Sequence, residues 1–250
     1  MKNLFLYELR KFFRQKSLYI LIAAMIAFGA FMMLLLKSVS SADDELDQIG
    51  FDTSPLRAIT TFQVSLFLGI FSAIYVTGDF LGTRTIKNVY ARGYTRMQVG
   101  LIKFCFLAFT AVLFCIIALA ENFSFASALA IKEASGKTAG LIALQILSVI
   151  SYAALYFCLS SACGKAALAL CIAIPYIYVV VQPIAELLLF DKKNLKFIID
   201  IIDFLPMGLA SMLSDASLVS WKIALAAALS VAYTVVFVFL GLLAFNRKEA

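Results

Sequence analysis

The sequence predicts an all-α, polytopic membrane protein of six transmembrane helices, with an N-terminal interfacial elbow helix. Three observations predict it. Hydrophobic residues make up 63% of the chain and charged residues only 14%, where soluble domains average nearer ~45–50% and ~25%. The apolar residues, 23 phenylalanines among them, are gathered into uncharged runs about as long as a bilayer-crossing helix requires. Period-two alternation is missing, which argues against an outer-membrane barrel.

The elements follow in order. Residues 1–17 mix Leu4, Phe5, Phe12 and Phe13 with Glu8, Arg10, Lys11 and Arg14. At helical spacing this is an apolar stripe with basic flanks, suited to the membrane interface. The first apolar run, 18–36, is longer than the core of a signal peptide, and Lys37 separates it from Ser40-Ser41-Ala42. It therefore reads as a retained span. Further spans are predicted at about 58–78, 104–120, 139–163, 166–185 and 223–245, with Pro175 and Pro183 placed to kink the fifth. Residues 186–222 are too long for a turn. Apolar Phe197–Leu205, closed by Pro206 and Gly208, predicts a water-shielded re-entrant segment on the outer face. Trp221 beside Lys222 marks the interface before the last span.

Basic residues set the orientation. Lys2, Arg10, Lys11, Arg14, Lys16, Arg84, Lys87, Arg92, Arg96, Lys103, Lys165, Arg247 and Lys248 fall on one side of this topology. The other side holds fewer, and its first loop carries Asp43, Asp44, Glu45, Asp47 and Asp52. Both termini and Lys87 are predicted to be cytoplasmic, with Asp44 and Lys193 outside. The net charge of +6 is accounted for by this bias, and no nucleic-acid partner is implied.

Chemistry is sparse. The absence of histidine removes imidazole metal sites and Ser-His-Asp triads. The five cysteines lie in or beside apolar runs and form no Cys-x-x-Cys, so they read as small apolar residues. Ser135-Gly136-Lys137-Thr138 resembles the end of a P-loop, but Ile131 stands where the first glycine is needed. The chain therefore lacks an ATPase motif and reads as a non-enzyme. Asn122-Phe123-Ser124 matches a glycosylation acceptor but lies against a span. Glu121 and Glu186, at the predicted outer ends of spans three and five, are candidates for an outer vestibule. No predicted span carries a charge at its centre, which disfavours an ion-coupled carrier.

The informative stretch is 79–96, joining spans two and three. Thr83–Ala91 spaces Ile86, Val89 and Tyr90 on one helical face and Arg84, Lys87 and Asn88 on another. Gly93 is placed to end that helix in a left-handed conformation. Thr95 and Gln98 have capping-box spacing. Asp79, Gly82-Thr83, Lys87-Asn88 and Gly93-Tyr94-Thr95-Arg96 resemble the first cytoplasmic loop of ABC-2 type transporter permeases, with Arg84-Thr85 as additional intervening residues. Glu8-Leu9-Arg10-Lys11-Phe12-Phe13-Arg14 is similar to the basic elbow helix of that family.

The resemblance implies a permease subunit of an ATP-driven exporter in the bacterial cytoplasmic membrane. It implies a second permease subunit, identical or related, and a separate ATPase subunit that binds ATP and Mg. Residues 79–96 would dock on that ATPase. Small members export, or protect against, antimicrobial peptides of the lantibiotic and bacitracin kind. The rival reading is a six-span secondary transporter independent of ATP.

Overall fold

The computed structural model describes residues 2–40, 54–81, 89–128, 138–177 and 220–247. All regular elements among them are helical. Helix α1 is Lys2–Arg14, α2 Lys16–Ser40, α3 Ser54–Leu81, α4 Arg96–Ala128 and α5 Thr138–Cys163. A 3-10 turn at Gly164–Ala166 leads into α6, Ala167–Ile177, and α7 is Ser220–Arg247. Among the described residues, five segments are long and apolar enough to cross a membrane: Lys16–Leu35, Thr60–Gly78, Arg96–Ser124, Ala143–Cys163 and Ile223–Arg247. Of the predicted fifth span, 167–177 is described and helical, and Pro175 lies buried within it. The re-entrant segment, Asp44, Lys87 and Lys193 lie outside the described residues.

Gln15 separates α1 from α2. Its amide donates to the Phe12 carbonyl and its carbonyl accepts from the Leu18 amide, both at 3.2 Å. The Tyr19 hydroxyl donates to the Phe13 carbonyl at 2.9 Å. These bonds occupy carbonyls that a helix end leaves without helical partners, and they fix the angle of the elbow. Leu4, Glu8 and Phe12, one face at four-residue spacing, are buried. Phe12 packs among Phe71, Tyr75, Phe106 and Phe109. The face is therefore not purely apolar, because Glu8 enters the core between Leu4 and Phe12.

Helix α3 is the centre of the bundle. Several of its polar side chains face partners on other helices rather than water. Thr61 accepts from Gln145 at 3.3 Å, Ser65 meets the Tyr156 hydroxyl at 2.6 Å, and Ser72 meets Ser160 at 3.0 Å. All six residues are buried. Where lipid supplies no hydrophobic force between helices, such bonds and close packing join them. Backbones come close at Gly69, where a Cβ would lie 2.7 Å from the Cys171 carbonyl oxygen on α6.

The contacts also fix helix polarity. Phe157 and Cys158 of α5 meet Gly241 of α7, Phe157 stacks near Phe245, and Leu144 packs at Ala226. Helices α5 and α7 therefore run parallel. Helix α4 runs antiparallel to α7, with Gly100 against Leu242 and Phe245.

Candidate functional site

The end of the bundle where α1 lies gathers the described part of the 79–96 motif. Val89, Tyr90 and Ala91 are helical. The Arg92 amide donates to the Val89 carbonyl at 3.2 Å, and the Gly93 amide to the Tyr90 carbonyl at 2.9 Å. Gly93 has φ of 83°, a left-handed conformation that costs a residue with a Cβ about 1–2 kcal/mol. Thr95 and Gln98 then form a reciprocal capping box. The Thr95 amide donates to Gln98 Oε1 at 3.1 Å, and the Gln98 amide donates to Thr95 Oγ1 at 3.3 Å. Two amides that the start of α4 would leave bare are thereby satisfied.

Arg96 fastens this turn to another helix. Its Nη1 donates to the Asn246 carbonyl at 2.9 Å, in the last turn of α7, and its guanidinium lies 5.6 Å from the Tyr90 ring centroid. Val89 is buried and Tyr90 half-buried, both against the main core. Burial raises the Tyr90 phenol above its ordinary pKa, and the nearby Arg96 charge partly offsets this. Val89 and Tyr90 thus pack back onto the bundle instead of projecting as free docking anchors. A cavity of about 130 Å³ lies between the turn and α1, lined by Asn3, Leu4, Tyr7, Val89, Arg92 and Tyr94.

Asp79 belongs to the last turn of α3. Gly82, Thr83, Arg84, Ile86, Lys87 and Asn88 lie outside the described residues, as does Glu186. Beneath α1 is a cluster that sequence reasoning missed. Glu8 is 2% exposed and Lys103 0% exposed. Tyr75 joins them: its hydroxyl donates to Glu8 Oε2 at 3.2 Å, its carbonyl accepts from Lys103 Nζ at 3.4 Å, and its ring centroid lies 4.5 Å from that nitrogen. Charge counting assigned Lys103 to a loop. It lies instead within the spanning segment of α4, about 10 Å along the axis from Arg96 at 1.5 Å per residue. The capping box supplied the missing signal, since counting from Thr95 already puts Lys103 two turns inside a helix.

Glu121 lies in the last turn of the spanning segment Arg96–Ser124, three residues before its end. Gln63 Nε2 donates to Glu121 Oε2 at 3.1 Å and to the Met25 carbonyl at 2.7 Å. A Cβ on Gly29 would approach Glu121 Oε1 to 2.6 Å. Glu121 therefore joins α4 to α2 and α3, and is half-buried in that junction. Next to it, Asn122 Nδ2 donates to Thr60 Oγ1. Neither cluster has the ligand set of a transition-metal site, and no group of three or more Cys, Asp or Glu side chains converges among the described residues.

Comparison with protein families and with characterised proteins returned no match.

Proposed function

We propose that this chain is the membrane-spanning subunit of an ATP-driven exporter of ABC-2 type. It forms the substrate path with a second permease subunit and takes its power from a separate ATPase subunit, which holds ATP and Mg. Its place is the bacterial cytoplasmic membrane, with both termini cytoplasmic, and its cargo or target is a peptide. The observation that carries this reading is the fastening of residues 89–96. One short turn is tied to α4 by its capping box, to α7 through Arg96, and to the core through Val89 and Tyr90. A force applied to residues 79–96 reaches several helices at once, as coupling to a moving partner requires.

Helix polarity supports a sixth crossing. Helix α5 ends at the α1 end of the bundle, and α7, parallel to it, begins at the opposite end. The described α6 runs along α3 towards that opposite end, with Cys171 at Gly69 and Tyr176 at Phe62, which supports a sixth crossing in this reading.

The test is co-expression with a candidate ATPase subunit, sought in an adjacent reading frame that carries Walker A and signature motifs, scored by partner retention and transport-linked ATP hydrolysis at matched membrane expression. Lys87→Ala should slow association, as rim charges do. Arg96→Ala should retain the partner yet uncouple hydrolysis from transport. A permease that purifies without any ATPase and moves substrate in ATP-free vesicles would refute the proposal. That result would favour the secondary transporter, for which Glu121, held inside a span by Gln63, is the supporting observation.

A further inference from the structure

A second, larger cavity opens further along α1, beyond Tyr7, which lines both cavities. Its volume is about 610 Å³, and it lies between α1 and the last turns of α3. Arg10, Lys11 and Arg14 line it from α1, while Ile74, Tyr75 and Gly78 line it from α3. The three basic residues share a helix face at three- and four-residue spacing. Glu8, the acidic residue of α1, is directed away beneath the helix to the Tyr75 hydroxyl.

The α3 wall has a different character. Ile74 is 38% exposed and is the one exposed side chain on α3 between Thr60 and Gly78. It lies about 6 Å along the helix from Gly78, at 1.5 Å per residue. The cavity thus joins a cationic rim at the membrane interface to an apolar wall one turn deeper. A free phosphate has no use for that wall, and an acidic protein segment has no reason to reach bilayer depth. A glycerophospholipid presents both complements, a phosphate at the interface and acyl carbons immediately below it.

We infer that the cavity between α1 and α3 binds one anionic phospholipid, its phosphate held by Arg10, Lys11 and Arg14 and its upper acyl carbons against Ile74. The elbow fixes α1 relative to α2, so the rim is preformed and does not depend on the bound lipid to order it. A lipid in this place bridges α1 to α3, with Tyr7 between it and the cavity beside the 89–96 turn.

The experiment is native mass spectrometry of the full-length chain in non-ionic detergent, titrated with phosphatidylglycerol or phosphatidylcholine. One phosphatidylglycerol should remain bound under activation that strips phosphatidylcholine. A basic side chain near a membrane surface is worth about fivefold in anionic-lipid affinity. Arg10→Gln with Arg14→Gln should therefore weaken retention on the order of twentyfold, while Arg247→Gln, away from the cavity, should leave it unchanged. Ile74→Trp fills the apolar wall without altering charge, and should also displace the lipid. It keeps the test open if the double variant fails to fold. Equal retention of the two lipids would overturn the inference. So would unaltered retention in both the Ile74→Trp and the folded double variants. Full displacement by millimolar inorganic phosphate would assign the rim to a free anion instead, and would equally overturn it.

Discussion

Replacing Tyr75 by Phe removes one oxygen and leaves its ring contacts in place, including the stacking on Phe71 at 5.4 Å and the edge contact with Phe12 at 6.1 Å. What is lost is the 3.2 Å bond to Glu8 Oε2. Both residues are only 2% exposed, so water cannot readily replace the donor. A hydrogen bond to a charged group contributes ~1.5–3 kcal/mol, and a stranded buried carboxylate costs at least as much. The loss should be local to α1, because the bond ties that helix to the bundle. A penalty of about 2 kcal/mol corresponds to a roughly thirtyfold change in an opening equilibrium. Hydrogen exchange of the Lys2–Arg14 amides should accelerate by that factor, with α4 and α5 little affected. Glu8→Leu removes the other partner. The double variant should be less damaged than the two singles added together, by ~1–2 kcal/mol. Unchanged exchange in α1, or strict additivity in the cycle, would refute the view that Tyr75 and Glu8 hold α1 in place.

Gly69→Leu should drive α6 from α3, because even a Cβ would sit 2.7 Å from the Cys171 carbonyl; overpacking of this kind costs about 1–3 kcal/mol and should appear as a lower detergent melting temperature. Gly93→Val should disorder the 89–96 turn while Gly93→Asn is better tolerated, since Asn accepts left-handed φ more readily; protease nicking near Arg92 would separate the two. Tyr90 has its pKa raised in the folded state, so its contribution is present below the unfolded value of about 10 and is lost as pH rises through the folded value. An alkaline melt should therefore show destabilisation that Tyr90→Phe removes, and an identical profile in that variant would count against burial of the phenol.

The long helices were legible because lipid imposes a simple rule: uncharged runs of sufficient length become spans. The turn at 93–98 was legible because its chemistry is local, with glycine and the Thr95–Gln98 pair three residues apart. Glu8 and Lys103 were not, because reading charges from the sequence assumes that each one stays in water. Their burial depends on Tyr75, contributed by a third helix. A hint was present in α1, where a carboxylate stands four residues from both Leu4 and Phe12. Read from the sequence, the apolar run ends at Glu121, whereas helix α4 continues to Ala128, and Glu121, near the end of the span, accepts from Gln63 of α3. The polar residues of α3 are individually ordinary, and only the register with α5 turns Thr61, Ser65 and Ser72 into a ladder.

That ladder bears on how a push at one end of the bundle is received at the other. Helix α3 leads directly into the 79–96 motif through Asp79. Within its own length it touches Glu8 of α1 through Tyr75, Ser160 of α5 through Ser72, Cys171 of α6 at Gly69, and Glu121 of α4 with Met25 of α2 through Gln63. A helix bonded to this many neighbours cannot slide alone, since each buried hydrogen bond broken leaves a polar group stranded in an apolar setting. It moves with its partners or remains still. Helix α7 differs, because few of its described residues are buried and its apolar residues Val235, Val236 and Phe239 face outward. Its tie to the 89–96 turn is through Arg96. On the proposed coupling reading, α3 and its bonded neighbours would move as one body, while α7 is drawn along by its end through Arg96. In this arrangement the seam between α7 and α5, closed at Gly241 against Phe157, is where relative motion disturbs dispersion contacts instead of buried hydrogen bonds.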